Sequence, residues 1–273
     1  MEAVEFAPME QEKLNKLFPI KTIKTNCKKC GKEFEAVYFS AVFKNTVAQL
    51  YCDECVEQYD EAERRKQLKF EREIKEKAYL AMGIREEYFD AKFSKYKATT
   101  DSQKKALAAC KDVVDGNTNK LVFLGTNGVG KTMLMACIVK RLGGKMLSAY
   151  ELYARYRECF VNPKKTEIAL LEELTETPAL VIDEFGRTKG SEAENNFLSE
   201  VVNRRTTSGK FLGFTSNLVK KSECIFNNND YCSKCTRKDC LESWLSSDIL
   251  SRLMDGAAVI TISADDYRQT KRK

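Results

Sequence analysis

The 273-residue chain contains no histidine. No step can use an imidazole base, and a thiol metal site must use cysteine alone or recruit a carboxylate. Also missing is any apolar run near the roughly 20 residues needed to cross a bilayer. Met1-Glu2-Ala3-Val4-Glu5 is acidic and lacks the basic-then-apolar layout of a signal peptide, so a cytoplasmic location is expected. No internal repeat and no low-complexity segment occurs, which argues against repeat architectures.

What is present suits one sizeable domain plus a smaller module. Hydrophobic residues make up 43%, enough for a packed core, and charged residues 32%, suited to a soluble surface. The net charge of +6 is uneven, with basic stretches at residues 21–32 and at Lys271-Arg272-Lys273. Such patches permit a nucleic-acid partner, and solvated lysines account for them equally well.

Eleven cysteines in an expected cytoplasmic chain argue for metal rather than a disulfide framework. Cys27-x2-Cys30 and Cys52-x2-Cys55, 21 residues apart, have the spacing of a four-cysteine zinc ribbon or knuckle pair, iron being the competing metal. Between them, residues 34–39 and 47–51 read as short strands of a hairpin. A second group, Cys224, Cys232, Cys235 and Cys240, lies within 17 residues. It reads as a second zinc site, an iron–sulfur cluster or unligated thiols. Residues 56–80, rich in Glu, Lys and Arg without Gly or Pro, read as a charged helix with a thin apolar stripe.

Residues 125–132, Gly-Thr-Asn-Gly-Val-Gly-Lys-Thr, complete a G-x-x-x-x-G-K-[ST] phosphate-binding loop. An apolar strand (Leu121–Leu124) precedes it and an apolar helix opening at Met133 follows. Gly125, Gly128 and Gly130 let backbone N–H groups converge on phosphate oxygens, with Thr126, Asn127 and Val129 completing the loop. Lys131 supplies charge for the β- and γ-phosphates of ATP, and the Thr132 hydroxyl is a Mg²⁺ ligand. The helix N-terminus favours the same anions. A second apolar strand, residues 179–182, ends in Asp183-Glu184. In parallel sheets ligands sit at the carboxyl ends of strands. Asp183 is expected to hold Mg²⁺ through water. Glu184, on the opposite strand face, is expected to polarise the attacking water.

Other elements alternate: helices at residues 103–114, 150–160, 168–174, 197–205 and 248–254, with strands at 145–149, 211–217 and 257–262. The expected fold class is α/β, a P-loop domain around a parallel sheet. Its boundaries are a zinc-binding module at 1–60, to which the family resemblance given next adds helicase docking, a charged helical linker at 61–90, and an ATPase domain at 91–273 with a cysteine-rich insertion at 222–242. In the helix at 150–160, Tyr150, Tyr153, Arg155, Tyr156, Arg157 and Phe160 suit either single-stranded DNA contact or the core.

Over residues 82–273 the chain resembles the AAA+ ATPases of the DnaC/DnaI helicase-loader and IstB-like group. The motifs that carry this are Met82-Gly83-Ile84, Phe93-x-x-Tyr96, the phosphate loop and the segment Leu180–Gly186. Val202-Asn203-Arg204-Arg205, Thr215-Ser216-Asn217-Leu218, Leu250-Ser251-Arg252-Leu253 and Asp266-Tyr267-Arg268 follow in family order. The resemblance implies that Asn217 is sensor 1, placing the attacking water. It implies that Arg252 is an arginine finger given to a neighbouring subunit's ATP, and that Arg268 is sensor 2. It further implies ATP, Mg²⁺ and Zn²⁺ as cofactors, with a replicative DnaB-type helicase, single-stranded DNA and further copies of the chain as partners. The expected activity is ATP-dependent helicase loading, with hydrolysis as a release switch. The alternatives are an IstB-like ATPase assisting a transposase and a non-hydrolysing adaptor. The cysteine-rich insertion departs from the family pattern and puts the geometry at Arg252 in question.

Overall fold

The structure, a computed structural model, describes residues 20–39, 46–47, 51–218, 240–241, 244–245 and 247–270. The chain divides into two compact units, Met1–Ile74 and Lys75–Lys273.

In the first unit, β1 (Ile20–Asn26), β2 (Glu33–Phe39) and β3 (Thr46–Val47) form an antiparallel sheet in that order. The expected pairing across residues 34–39 and 47–51 is present where Tyr38 faces Val47; residues 48–50 lie outside the described set. The main partner of β2 is instead β1, running from Ile20↔Phe39 to Asn26↔Glu33. Its residues stood out in the sequence only as a basic stretch, because Lys and Thr dominate a strand with few apolar positions. The charged segment is a 29-residue helix, α1 (Asp53–Ala81). Ion pairs of Arg65 with Glu61 and Lys66 with Glu63 support it at i,i+4 and i,i+3 spacing. Its apolar residues Leu68, Phe70 and Ile74 are exposed.

In the second unit, β4 (Lys120–Gly125), β5 (Gly144–Ser148), β6 (Ala179–Phe185), β7 (Phe211–Ser216) and β8 (Ala258–Ile262) form one sheet. The strand order is β5-β6-β7-β4-β8 and every pairing is parallel. Each strand needs a crossover to lie parallel to its neighbour, which is why helices alternate with strands. These are α2 (Asp101–Val114), α3 (Lys131–Leu142), α4 (Ala149–Val161), α5 (Glu167–Glu176), α6 (Glu192–Ser208), α7 (Ser247–Met254) and the single turn α8 (Tyr267–Thr270).

Strand periodicity sends alternate side chains to opposite faces, and two apolar layers result. Val122, Leu124, Leu180, Ile182, Leu212 and Phe214 pack beneath α4 to α7. Leu121, Phe123, Ala179, Val181 and Phe211 pack against α2, α3 and the segment from Met82 to Tyr96. Helix α6 opens at Glu192, five residues before its first apolar anchor, Phe197. There Ser191 caps it and the Glu194 carboxylate accepts from the Ser191 N–H at 2.6 Å.

Arg205, on α6, is almost fully buried at 1% exposure. Its guanidinium donates to the carbonyls of Leu174, Thr175, Thr177, Pro178 and Phe211. Two of these, Leu174 and Thr175, lie in the last turn of α5, where carbonyls have no partner within the helix, and Thr177 is its C-cap. Burial brings its pKa down to about 10, so it stays charged at neutral pH. Arg205→Met is expected to destabilise the fold by about 3 kcal/mol or more, since it strands five acceptors, three of them in buried hydrogen bonds. A urea unfolding midpoint unchanged from the parent contradicts this.

Candidate nucleotide-binding site

The loop after β4 and the carboxylates of β6 are separated by one strand, β7. Parallel register brings the carboxyl ends of all three strands to one edge, so the loop, Asn217 and Asp183 meet there.

The loop is shaped by left-handed glycines. Gly128 has φ 77°, and a Cβ there lies 1.8 Å from the Asp266 carboxylate; Gly130 has φ 97°, with the Tyr96 ring 2.5 Å from a Cβ. An L side chain at either position is strained by the left-handed backbone and must displace Asp266 or Tyr96. The loop is braced from outside by the Tyr96 hydroxyl donating to the Val129 carbonyl at 3.0 Å and the Tyr267 N–H donating to the Gly128 carbonyl at 3.1 Å.

Lys131, only 7% exposed, sits at the centre. Its Nζ donates to the carbonyls of Gly125 at 2.7 Å and Thr126 at 2.6 Å, and to Asn217 Oδ1 at 2.8 Å. Asn217 Nδ2 in turn donates to Asn127 Oδ1 at 2.8 Å. Burial lowers the Lys131 pKa to about 8, against the attraction of Asp183 and with the help of the Arg268 charge.

The Thr132 hydroxyl donates to Asp183 Oδ1 at 3.0 Å, and the buried Thr215 hydroxyl donates to the same oxygen. Arg85 Nη2 lies 3.3 Å from Asp183 Oδ2. Burial raises the Asp183 pKa above the usual carboxylate range, while the two hydroxyls and Arg85 oppose it.

Glu184 does not point away from Asp183, as simple strand alternation predicts. The Arg85 guanidinium reaches both carboxylates, with Nη1 3.7 Å from Glu184 Oε1. Two features turn Glu184: its φ is 56°, and the β6–β7 register shifts between Ile182 and Phe185. A left-handed residue that is not glycine costs about 1–2 kcal/mol. The Glu184 N–H donates to Thr215 Oγ1 at 3.0 Å, which offsets part of that cost. Sequence reasoning missed Arg85 and Thr215. Their only signals were positions beside Met82-Gly83-Ile84 and two residues before Asn217.

The remaining site residues lie elsewhere. Arg268 pairs with Asp266 at 2.9 Å, beside the loop that Asp266 touches. Arg252 sits on α7, 3.4 Å from Asp248 of its own helix, and its carbonyl accepts from Lys120 Nζ at the start of β4, the end opposite the loop. Within α4 the ring-and-arginine mixture separates. Tyr153 and Tyr156 are buried core residues, Arg155 pairs with Glu173 and Arg157 with Glu194, while Tyr150 and Phe160 are exposed.

A magnesium triphosphate fits these residues. Helices α2, α4, α5 and α6 each have a side-chain oxygen capping their first turn, whereas α3 begins after Gly130 with no such cap. Its first-turn N–H groups therefore offer donors to an anion. The Thr132 hydroxyl and Asp183 carboxylate offer the oxygens that a hard divalent cation takes.

In the first unit, the ligand sulfurs of Cys27, Cys30, Cys52 and Cys55 lie within 4.8 Å of one another. Cys30 and Cys52 Sγ are 3.7 Å apart. Tetrahedral Zn–S bonds of about 2.3 Å place sulfurs roughly 3.8 Å apart, so the group fits a metal ion of this kind. The knuckle turn is held by the Gly31 N–H on the Cys27 carbonyl and the Cys27 N–H on the Lys32 carbonyl, both at 2.9 Å. Of the second cysteine group, Cys224, Cys232 and Cys235 lie outside the described residues; Cys240 is buried.

A five-stranded parallel sheet with a phosphate loop, a strand-end acid pair and an intervening strand-end asparagine defines a P-loop nucleotide-binding protein of the AAA+ class. The family described as IstB-like ATP binding protein matches residues 44–273, and the chain belongs to it. It is 29% identical over 197 residues to the replicative helicase loader DnaC of Buchnera aphidicola subsp. Acyrthosiphon pisum (strain APS), covering 68% of this chain and 73% of that protein. It is 29% identical over 150 residues to the replicative helicase loader DnaC of Escherichia coli (strain K12), covering 52% of this chain and 61% of that one. The chain thus spans about three-fifths of the E. coli relative. Crystal structures of the DnaC helicase loader and of DnaI share the fold. Each has a TM-score of 0.51, at 20% and 21% identity; they cover 66% and 67% of this chain and 100% and 96% of theirs.

The Lys131 pKa sets a pH dependence. A bound triphosphate favours the ammonium form, so above pH 8 binding must take up a proton. Affinity for ATP is expected to be highest below pH 8 and roughly tenfold weaker at pH 9 than at pH 7.5, by calorimetry. Lys131→Ala is expected to bind weakly and without this slope. A flat parental profile contradicts the assignment.

Proposed function

We propose that this chain is an ATPase that loads a replicative DnaB-type helicase onto single-stranded DNA, with hydrolysis acting as the release switch. The observation that carries the reading is the convergence of Lys131, Thr132, Asp183 and Asn217 from three strand ends, with Glu184 beside Asp183. The helicase-loader names of two relatives, each 29% identical, support the substrate side of it.

In this reading the loop N–H groups from Gly125 to Thr132 and the Lys131 ammonium hold the β- and γ-phosphates of ATP. Thr132 and Asp183 hold Mg²⁺, which supplies charge neutralisation at the phosphates. Lys131 exchanges the carbonyls of Gly125 and Thr126 for phosphate oxygens. Glu184 takes a hydrogen bond from the attacking water, and Asn217 helps to place that water. Arg268 lies on the loop side, where it can reach the nucleotide. Arg252, on a helix remote from its own chain's loop contacts, serves the ATP of an adjoining copy. Hydrolysis is then conditional on assembly, since such an arginine is worth on the order of 10³–10⁵ in rate.

The four-cysteine group holds zinc, and the module at 1–60 docks the helicase, joined to the ATPase domain at 91–273 by the charged helix. Among the described residues no helix is long and apolar enough to cross a membrane. A cytoplasmic site of action suits a loader.

Two measurements test the reading. Glu184→Gln is expected to keep ATP affinity while losing at least about 10²-fold in hydrolysis rate; equal rates favour an adaptor that does not hydrolyse. The chain is expected to co-purify with a DnaB-type helicase in the presence of ATP, and deletion of residues 1–60 to abolish this. Retained binding by the truncated chain contradicts the docking role.

A further inference from the structure

Lys120 is as deeply buried as Lys131, at 5% exposure against 7%, yet lies outside the nucleotide site. The two stand at opposite ends of one unit: Lys120 opens β4, and Lys131 follows the loop that ends it. A strand of six residues spans roughly 20 Å, which puts the Lys120 ammonium out of reach of a bound triphosphate. Its Nζ donates instead to the Arg252 carbonyl at 3.1 Å. That carbonyl belongs to the last turn of α7, where carbonyls lack partners within the helix and the helix dipole favours a cation. An apolar side chain of similar length fills such a position without the cost of burying a charge. What the lysine adds is a directed bond to the very residue that carries the guanidinium.

We propose that Lys120 is a positioning residue for Arg252, fixing the last turn of α7 so that its arginine meets the ATP of an adjoining copy. This rests on the reading of the chain as an ATPase whose Arg252 acts in trans. Ile249 and Leu253 hold α7 by burial in the apolar layer, a non-directional contact that sets the depth of the helix more than its height. The Arg252 guanidinium rests on Asp248 one turn back and is 42% exposed, so it leaves that partner at small cost. Its backbone is what has to be held. Strand β4 therefore carries at one end the loop that grips its own chain's nucleotide. At the other end it carries the anchor of the arginine offered to the next copy. A shift of about 1 Å in such a group costs up to about 10²-fold in rate, so one buried bond far from the chemistry is enough to matter.

Steady-state hydrolysis by the full chain tests this, with Mg²⁺, ATP and a single-stranded oligonucleotide, at chain concentrations where the parental rate per chain has stopped rising. Lys120→Met is expected to lose at least about tenfold in kcat at parental ATP affinity by calorimetry. Lys120→Arg is expected to recover most of the rate, since it keeps a cationic donor to the helix end. The decisive arm mixes chains. Glu184→Gln keeps an intact Arg252 and binds ATP without hydrolysing it. In an equimolar mixture at the same total concentration, half of the neighbours of Lys120→Met carry a well-held arginine, so its rate per chain is expected to rise about fivefold. Glu184→Gln/Arg252→Ala in the same mixture is expected to give no rise.

A merely structural role for Lys120 lowers the urea midpoint or the ATP affinity and leaves both mixtures slow, which overturns the proposal. Where Lys120→Met fails to fold, Lys120→Gln, which loses charge and reach but keeps a polar end, goes through the same mixtures with the same outcomes expected. Lys120→Met hydrolysing at the parental rate while Arg252→Ala is slow overturns the anchor and leaves the role of the arginine standing. Arg252→Ala at the parental rate removes that role, and the anchor with it.

Discussion

The second unit is organised around the ammonium buried at the phosphate loop. Lys131 lies within 2.8 Å of three oxygens, two from the loop backbone and one from the end of the neighbouring strand. Without such partners a lysine this deep gives up its proton. The loop accepts the charge by turning its carbonyls inward. The same loop has positive φ at Gly125, Gly128 and Gly130. It also requires Asn217 to arrive at the correct height, which parallel pairing of β4 with β7 ensures by setting Leu124 opposite Ser216. A buried cation held by exchangeable oxygens is primed for an anion that replaces them.

The carboxylate side shows a different economy. Asp183 is held by two hydroxyls from two elements, so its position is over-determined. Glu184 is held by its backbone, through an unfavourable φ and the Thr215 hydroxyl, and by two arginines. Strain concentrated at one residue beside a rigid neighbour is a pattern of sites that must change state. Thr215 links the two, since it donates to Asp183 and accepts from Glu184. A disturbance at β7 therefore reaches both acids together.

Much of this was legible in the sequence because the chemistry constrains the spelling. A phosphate loop cannot dispense with its glycines, lysine and threonine, and buried parallel strands read as apolar runs such as Leu180-Val181-Ile182. Paired Cys-x-x-Cys turns announce convergence of four thiols, and the structure gathers them. What escaped depends on long-range or non-periodic geometry. Arg85 meets Asp183 across 98 residues, a contact no local pattern encodes. The direction of Glu184 was misread because strand alternation assumes extended backbone, and one left-handed residue cancels it. Strand β1 was hidden by its lysines, and the inward turn of Tyr153 and Tyr156 depends on what covers α4.

The most direct test of the account is a crystal structure with Mg²⁺ and a non-hydrolysable ATP analogue. The account predicts that the Lys131 Nζ leaves the carbonyls of Gly125 and Thr126 for phosphate oxygens, with the metal lodged beside Thr132 and Asp183. An analogue bound elsewhere, or Lys131 still holding both carbonyls with the phosphates outside the loop, contradicts it.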